Sequence, residues 1–164
     1  MAGRDKGRAS SNRMRRGPGD SHHAVRALEP AAKQALLLAA AKAREGAVAP
    51  YSRFKVGAAL LTAGGEVITG ANVESASYGL TCCAERVALF AALTAGHRRF
   101  TAVAVVARAP NGPMPCGACR QLLAEYAPTA IVWVADSRRP RSARRFSVKE
   151  LLPAAFRHVP PNSV

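Results

Sequence analysis

The chain has 164 residues, 49% of them hydrophobic, which is enough for one domain with its own core and no dependence on disulfides. Its formal charge of +14 would suggest a polyanionic partner if it were spread over the surface, but it is concentrated in two places. The first 26 residues carry seven Lys or Arg against two Asp, and five arginines fall between Arg138 and Arg145. No apolar run approaches the roughly 18–20 residues that span a bilayer, so no membrane association is expected.

Residues 1–29 are rich in Gly, Ser, Arg and Asn and poor in large apolar side chains, which predicts a disordered basic tail. The Arg15–Arg16 pair invites comparison with a twin-arginine export signal. Gly, Pro, Gly and Asp follow it, however, and the apolar "ALLLAAA" at 35–41 is better used inside a core helix, so a cytoplasmic protein is expected. The folded domain should therefore occupy residues 30–164. Pro30 suits a helix's opening turn and Gly46 its end, which predicts a first helix between them. The stretches 53–62 and 66–74 have strand character and are joined across Ala63, Gly64 and Gly65, a hairpin signal. A helix from about Cys83 to Leu93 follows, with Gly96 as its stop. The run "FTAVAVVA" at 100–107 is a strand of the kind covered on both faces.

The prolines and glycine of 109–115 impose a loop. A helix over Gly117–Tyr126, a strand over 130–136, an arginine-rich excursion and a short helix at 148–156 complete the order. Helices thus alternate with strands, which argues for one sheet sandwiched between helices.

Four cysteines, Cys82, Cys83, Cys116 and Cys119, form two tight clusters, a pattern that favours metal binding or redox chemistry over a disulfide framework. Both clusters fall where a loop enters the first turn of a helix, where free backbone N–H groups and the helix dipole favour thiolate. The spacing in "PCGAC" lets Cys116 and Cys119 chelate one tetrahedral ion, and zinc is the usual occupant. Taken alone, this pair leaves a structural zinc knuckle or a redox couple open. Glu85 beside the first cluster is what neither alternative needs, and by itself Glu85 would be only a favourable acid in a helix's first turn.

Cys83-Ala84-Glu85 together with Pro115-Cys116-Gly117-Ala118-Cys119 resembles the zinc-dependent nucleobase deaminases. "APYSRFKVGAAL", "GANVESASYG", "CAERVALF", "PCGACRQ" and "ELLPAAF" together are similar to the small homotetrameric cytidine deaminases that act on free nucleosides, over roughly residues 30–156. The resemblance implies an α/β fold, a three-layer α/β/α sandwich around one mixed sheet of about five strands. It implies one Zn2+ per chain held by Cys83, Cys116 and Cys119, with Glu85 as proton shuttle and Cys82 a spare thiol. It also implies that Phe54 packs on the pyrimidine, that Asn72 and Glu74 hold ribose hydroxyls, and that the backbone at Ala84 helps read the base. Phe156 would reach a neighbouring subunit's site in a homotetramer.

Three thiolates make the zinc centre formally negative and weaken its pull on water, so Arg86 and Arg120 are candidates to hydrogen bond the sulfurs and offset this. Hydrolytic deamination of cytidine and deoxycytidine is the function the resemblance implies. Another cytosine-bearing compound, such as a nucleoside antibiotic, is the second possibility within enzymes. A nucleic-acid partner is disfavoured, because only 5% of the chain is aromatic and the tail has no aromatic residue on which bases could stack.

Overall fold

The computed structural model describes residues 29–156; the expected basic tail and the last residues of the expected catalytic unit lie outside them. Helix α1 spans Pro30–Ala43 and runs into a 3-10 turn over Arg44–Gly46. Strands β1 (Val56–Thr62) and β2 (Val67–Ala71) follow, then α2 (Ala84–Thr94), β3 (Phe100–Ala107), α3 (Gly117–Tyr126), β4 (Ile131–Asp136), β5 (Arg144–Ser147) and α4 (Val148–Leu151). The strands form one mixed sheet in the order β2-β1-β3-β4-β5. Among the strands of the described residues, only β3 and β4 pair in parallel, and a parallel pair needs a crossover long enough to hold a helix. Here α3 is the helix of that crossover, and it carries Cys116 as its N-cap and Cys119 in its first turn.

Side chains alternate across the sheet with the period of two that strand geometry imposes. Ala59, Ala102, Ala104, Val106 and Ala135 pack with Leu36, Leu37 and Ala40 of α1. Their neighbours Ala58, Leu60, Val103, Val105, Val132 and Val134 pack instead with α2, α3 and α4. The result is the expected α/β/α sandwich, and it explains why 100–107 reads as apolar without a break: every other residue meets a different helical layer. The glycines of β1 and β2 also let the helices come close. A Cβ on Gly57 would lie 2.1 Å from the Ala40 carbonyl oxygen, and one on Gly70 would lie 2.4 Å from the Ala88 nitrogen. Gly57 thus marks a close backbone approach between β1 and α1.

The arginine-rich excursion differs from expectation. Arg144 and Arg145 open β5, which pairs antiparallel with β4 at the sheet edge. Charged side chains hide this strand from a hydrophobicity reading, although edge strands commonly carry them to discourage further pairing. Arg138 instead turns back on Asp136, with its Nη2 2.9 Å from Oδ2. The final helix is also shorter than expected, one turn whose Ser147 and Glu150 form a reciprocal capping box. Among the described residues, no helix is long and apolar enough to cross a membrane.

Candidate metal centre and nucleoside cavity

Cys83 is the N-cap of α2 and Cys116 the N-cap of α3, and both have extended backbones before the first turn. Cys119 sits in that first turn of α3 and is buried. Among the described residues these three form the group of potential metal ligands, with all three sulfurs within 4.8 Å of one another. Cys83 and Cys116 Sγ are 3.7 Å apart, and Cys116 and Cys119 Sγ are 3.6 Å apart. Zinc–sulfur bonds of about 2.3 Å at a tetrahedral angle require sulfurs about 3.8 Å apart, so the donor set fits a tetrahedral thiolate site. Cys82 stands outside it. Its backbone N–H and C=O pair with Val73, continuing the sheet edge, while the next residue turns into the helix.

The electrostatics suit cation capture. Hydrogen bonding from the Cys119 thiol, with help from Cys116 and Arg86, brings the Cys83 thiol down to about 5. The same hydrogen bond, together with burial, pushes Cys119 up. One thiolate therefore forms readily, and the remaining thiol protons leave when a cation takes their place.

Glu85, the second residue of α2, is 5% exposed. Burial is the main cause that raises its carboxyl above the usual range; its own backbone N–H opposes this, and the negative Cys83 adds to it. A carboxyl kept ready to hold a proton, next to a metal site but outside the ligand set, is suited to general acid–base work.

Arg86 donates through Nη2 to the Thr81 carbonyl at 2.5 Å and reaches Cys83 Sγ at 3.9 Å. Arg120 has different partners. It donates to the carbonyls of Pro115 at 2.7 Å and Leu151 at 3.1 Å, tying the loop before Cys116 and the start of the C-terminal segment to α3. Its position on α3, one residue beyond the buried Cys119, directs the guanidinium toward backbone oxygens, and only Arg86 makes the expected approach to sulfur.

A cavity of about 210 Å3 opens beside the cluster. Cys83, Ala84, Glu85 and Cys116 form its floor, and Phe54, Asn72 and Glu74 belong to its wall. The last two also hold the loop before β1. Asn72 is 7% exposed; its Oδ1 accepts from Val56 N at 2.8 Å and its Nδ2 donates to Phe54 O at 3.0 Å. Glu74 Oε2 accepts from the backbone N–H groups of Tyr51 at 2.9 Å and Ser52 at 3.1 Å, and Oε1 accepts from the Ser52 hydroxyl. That last bond is the leading cause that holds the Glu74 carboxyl below its ordinary value.

Phe156 does not line its own chain's cavity; it is 64% exposed at the end of the described residues. Ser52, Thr81, Pro113 and Met114 also line the cavity and carry no individual sequence signal beyond their nearness to the motifs.

Comparison with known proteins supports the same reading. Residues 30–135 match the family described as "Cytidine and deoxycytidylate deaminase zinc-binding region". The chain belongs to the cytidine deaminase family. It is 53% identical over 124 residues to a cytidine deaminase of Halalkalibacterium halodurans, covering 76% of this chain and 93% of that one. It is 44% identical over 117 residues to a cytidine deaminase of Mycobacterium tuberculosis, covering 71% of this chain and 84% of that one. The crystal structure of cytidine deaminase from Burkholderia pseudomallei superimposes with a TM-score of 0.71 at 53% identity, over 74% of this chain and 97% of that one. This deaminase is accordingly a hydrolase that removes an amino group, with a three-cysteine cluster able to hold a metal ion.

Proposed function

We propose that the enzyme uses one zinc ion per chain to convert free cytidine and deoxycytidine to uridine and deoxyuridine, releasing ammonia. The observation that carries this is the buried Glu85 carboxyl in the floor of a cavity it shares with Cys83 and Cys116. Zinc on Cys83, Cys116 and Cys119 would supply Lewis acidity that activates a water molecule.

The chain's own residues supply the rest. Glu85 takes a proton from the attacking water as its oxygen adds to C4 of the cytosine ring. It delivers that proton to ring N3, then takes the proton of the new C4 hydroxyl and passes it to the exocyclic amino group, so that the C4–N bond breaks, the C4 carbonyl forms and ammonia leaves. Glu85 must stay off the metal, because a fourth protein ligand would displace the water.

Phe54 forms the wall against which the pyrimidine packs, and the backbone at Ala84, at the free N–H end of α2, meets the base's polar edge. Asn72 and Glu74 take the sugar hydroxyls with the hydrogen-bonding capacity their loop contacts leave. Arg86 offsets the surplus negative charge at the sulfurs, and Arg120 acts by holding the loop before Cys116.

The active unit is a homotetramer in which Phe156 enters a neighbour's cavity. Support comes from a second cavity of about 380 Å3 that shares Ser52, Glu74 and Thr81 with the first and is bounded by Tyr51 and Tyr78. Tyr78 of that cavity is 81% exposed and Leu80, in the same 3-10 turn, 74%, an apolar surface suited to burial against another copy. The catalytic unit is residues 30–164, and a three-thiolate site suits a reducing compartment, so a cytoplasmic location completes the proposal.

Comparing turnover of cytidine with that of other cytosine-bearing compounds tests the substrate; a modified cytosine turned over far better than cytidine would overturn it. Removing residues 1–26 should leave free-cytidine turnover intact, and its loss would reopen a role for the basic segment in binding nucleic acid.

A further inference from the structure

The two parts of the proposed nucleoside site, the wall for the base and the grip on the sugar, are joined by the Ser52 hydroxyl and by the Asn72 amide. Ser52 Oγ donates to Glu74 Oε1 and accepts from the backbone N–H of Phe54 at 2.9 Å. The opposite side of Phe54 is fixed as well, because Asn72 Nδ2 donates to the Phe54 carbonyl and Asn72 Oδ1 accepts from Val56 N. The peptide groups flanking Phe54 are thus held by Ser52 and Asn72, and both connect to the residues proposed to meet the sugar. Between them the chain passes through Arg53 in the left-handed region, at φ 57°. A non-glycine residue adopts that conformation only when its surroundings impose it.

We propose that Ser52 is a positioning residue for substrate selection, aligning the Glu74 carboxylate for a sugar hydroxyl while placing Phe54 in the cavity wall. This rests on the nucleoside reading above. Three hydrogen bonds to Glu74 come from the 51–52 segment, two from backbone N–H groups and one from the Ser52 hydroxyl. The backbone bonds both fall on Oε2, so the hydroxyl alone fixes Oε1 and with it the rotation of the carboxylate plane. An ionised carboxylate only accepts hydrogen bonds. A sugar hydroxyl is a donor that can fill the capacity left open, provided the plane is correctly turned. Without Ser52 Oγ, the Phe54 N–H also loses its partner, so the sugar grip and the base wall should loosen together.

The test is steady-state kinetics of Ser52→Ala and Ser52→Thr with cytidine and with 2′,3′-dideoxycytidine, which lacks the 2′ and 3′ hydroxyls. Ser52 is exposed, so the alanine variant should retain its fold and metal content. Ser52→Ala should raise KM for cytidine about tenfold, the scale of one charge-assisted hydrogen bond, with a smaller change in kcat. The preference of wild type for cytidine over the dideoxy compound should shrink, by less than the rise in KM because the loosened wall at Phe54 also weakens the dideoxy compound, and Ser52→Thr should restore much of it. In a Glu74→Gln background, Ser52→Ala should change that preference little.

An unchanged KM and preference in Ser52→Ala would overturn the proposal, as would an equal loss for both compounds, which would mark a general loop defect. If Ser52→Ala proves unstable, wild-type selectivity in Ser52→Thr set against its loss in Ser52→Cys still supports the hydroxyl's role, and equal behaviour of those two variants contradicts it. Wild type failing to turn over cytidine would instead strike the nucleoside reading itself.

Discussion

Cys83 Sγ lies 3.7 Å from Cys116 Sγ although 33 residues separate them, and each cysteine is the N-cap of its helix. Two helix N-termini therefore converge on one place, and their partial positive charge favours thiolate there. Cys82, one residue earlier, takes part in a β-bridge with Val73 and is not among the three clustered thiols. Cys83→Ala should therefore lose bound metal and turnover together, whereas Cys82→Ala should keep both. Metal analysis of the two purified variants distinguishes them, and equal losses would place the ligand set wrongly.

Zinc uptake should release protons. The Cys83 thiol is held down to about 5 by hydrogen bonds from Cys119, Cys116 and Arg86, so near pH 7 it is already ionised, whereas Cys119 is held up by its bond to Cys83 and by burial. Calorimetric titration of the metal-free protein in buffers of different ionisation enthalpy should find protons released as the ion binds, the Cys119 proton among them. Affinity should fall as pH is lowered, because protons then compete for the same sulfurs. Proton release near zero at pH 7 would contradict the pattern.

Much of the fold was legible because its signals are local. Gly117–Tyr126 and Phe100–Ala107 occupy the ranges their patterns predict, the first bounded by Cys116 and Ala127 and the second by a continuous apolar run. The thiol cluster was legible because two short motifs carry its ligands. Arg144 and Arg145 in β5 were not, since an edge strand is defined by the neighbour it pairs with rather than by its own hydrophobicity. Nor were the contacts of Arg120 with Pro115 and Leu151, or the Ser52–Glu74 link, because these depend on chain segments brought together only by the tertiary fold.

Gly70 is where the centre depends on close packing. A Cβ there would meet Ala88 N at 2.4 Å and the Ala84 carbonyl oxygen at 2.8 Å, both backbone atoms of α2 that cannot swing aside. Gly70→Ala should cost about 1–3 kcal/mol in urea unfolding, the usual range for an overpacked site. Because the shift falls on the helix that begins with Cys83, metal affinity should drop too. A stability within about 0.5 kcal/mol of wild type would show that α2 can move away freely.

Arg86 connects the Thr81 carbonyl, in the cavity wall, to the Cys83 sulfur. Arg86→Ala should preserve the fold, since the residue is outside the apolar core, yet weaken metal binding or activity by about 10–100-fold, the scale for groups that support metal ligands. Competition with a chelator of known affinity measures the first and ammonia release the second. Unchanged values for both would remove Arg86 from the centre's support.

The most direct test of the central claim is ammonia release from cytidine by wild type and Glu85→Gln, measured alongside zinc content. Glutamine preserves the shape of the side chain and its place in the cavity floor but cannot carry the proton. Both proteins should hold about one zinc per chain, with ammonia released by the wild type alone. Turnover by Glu85→Gln at a rate comparable to wild type would contradict the role assigned to this carboxyl group.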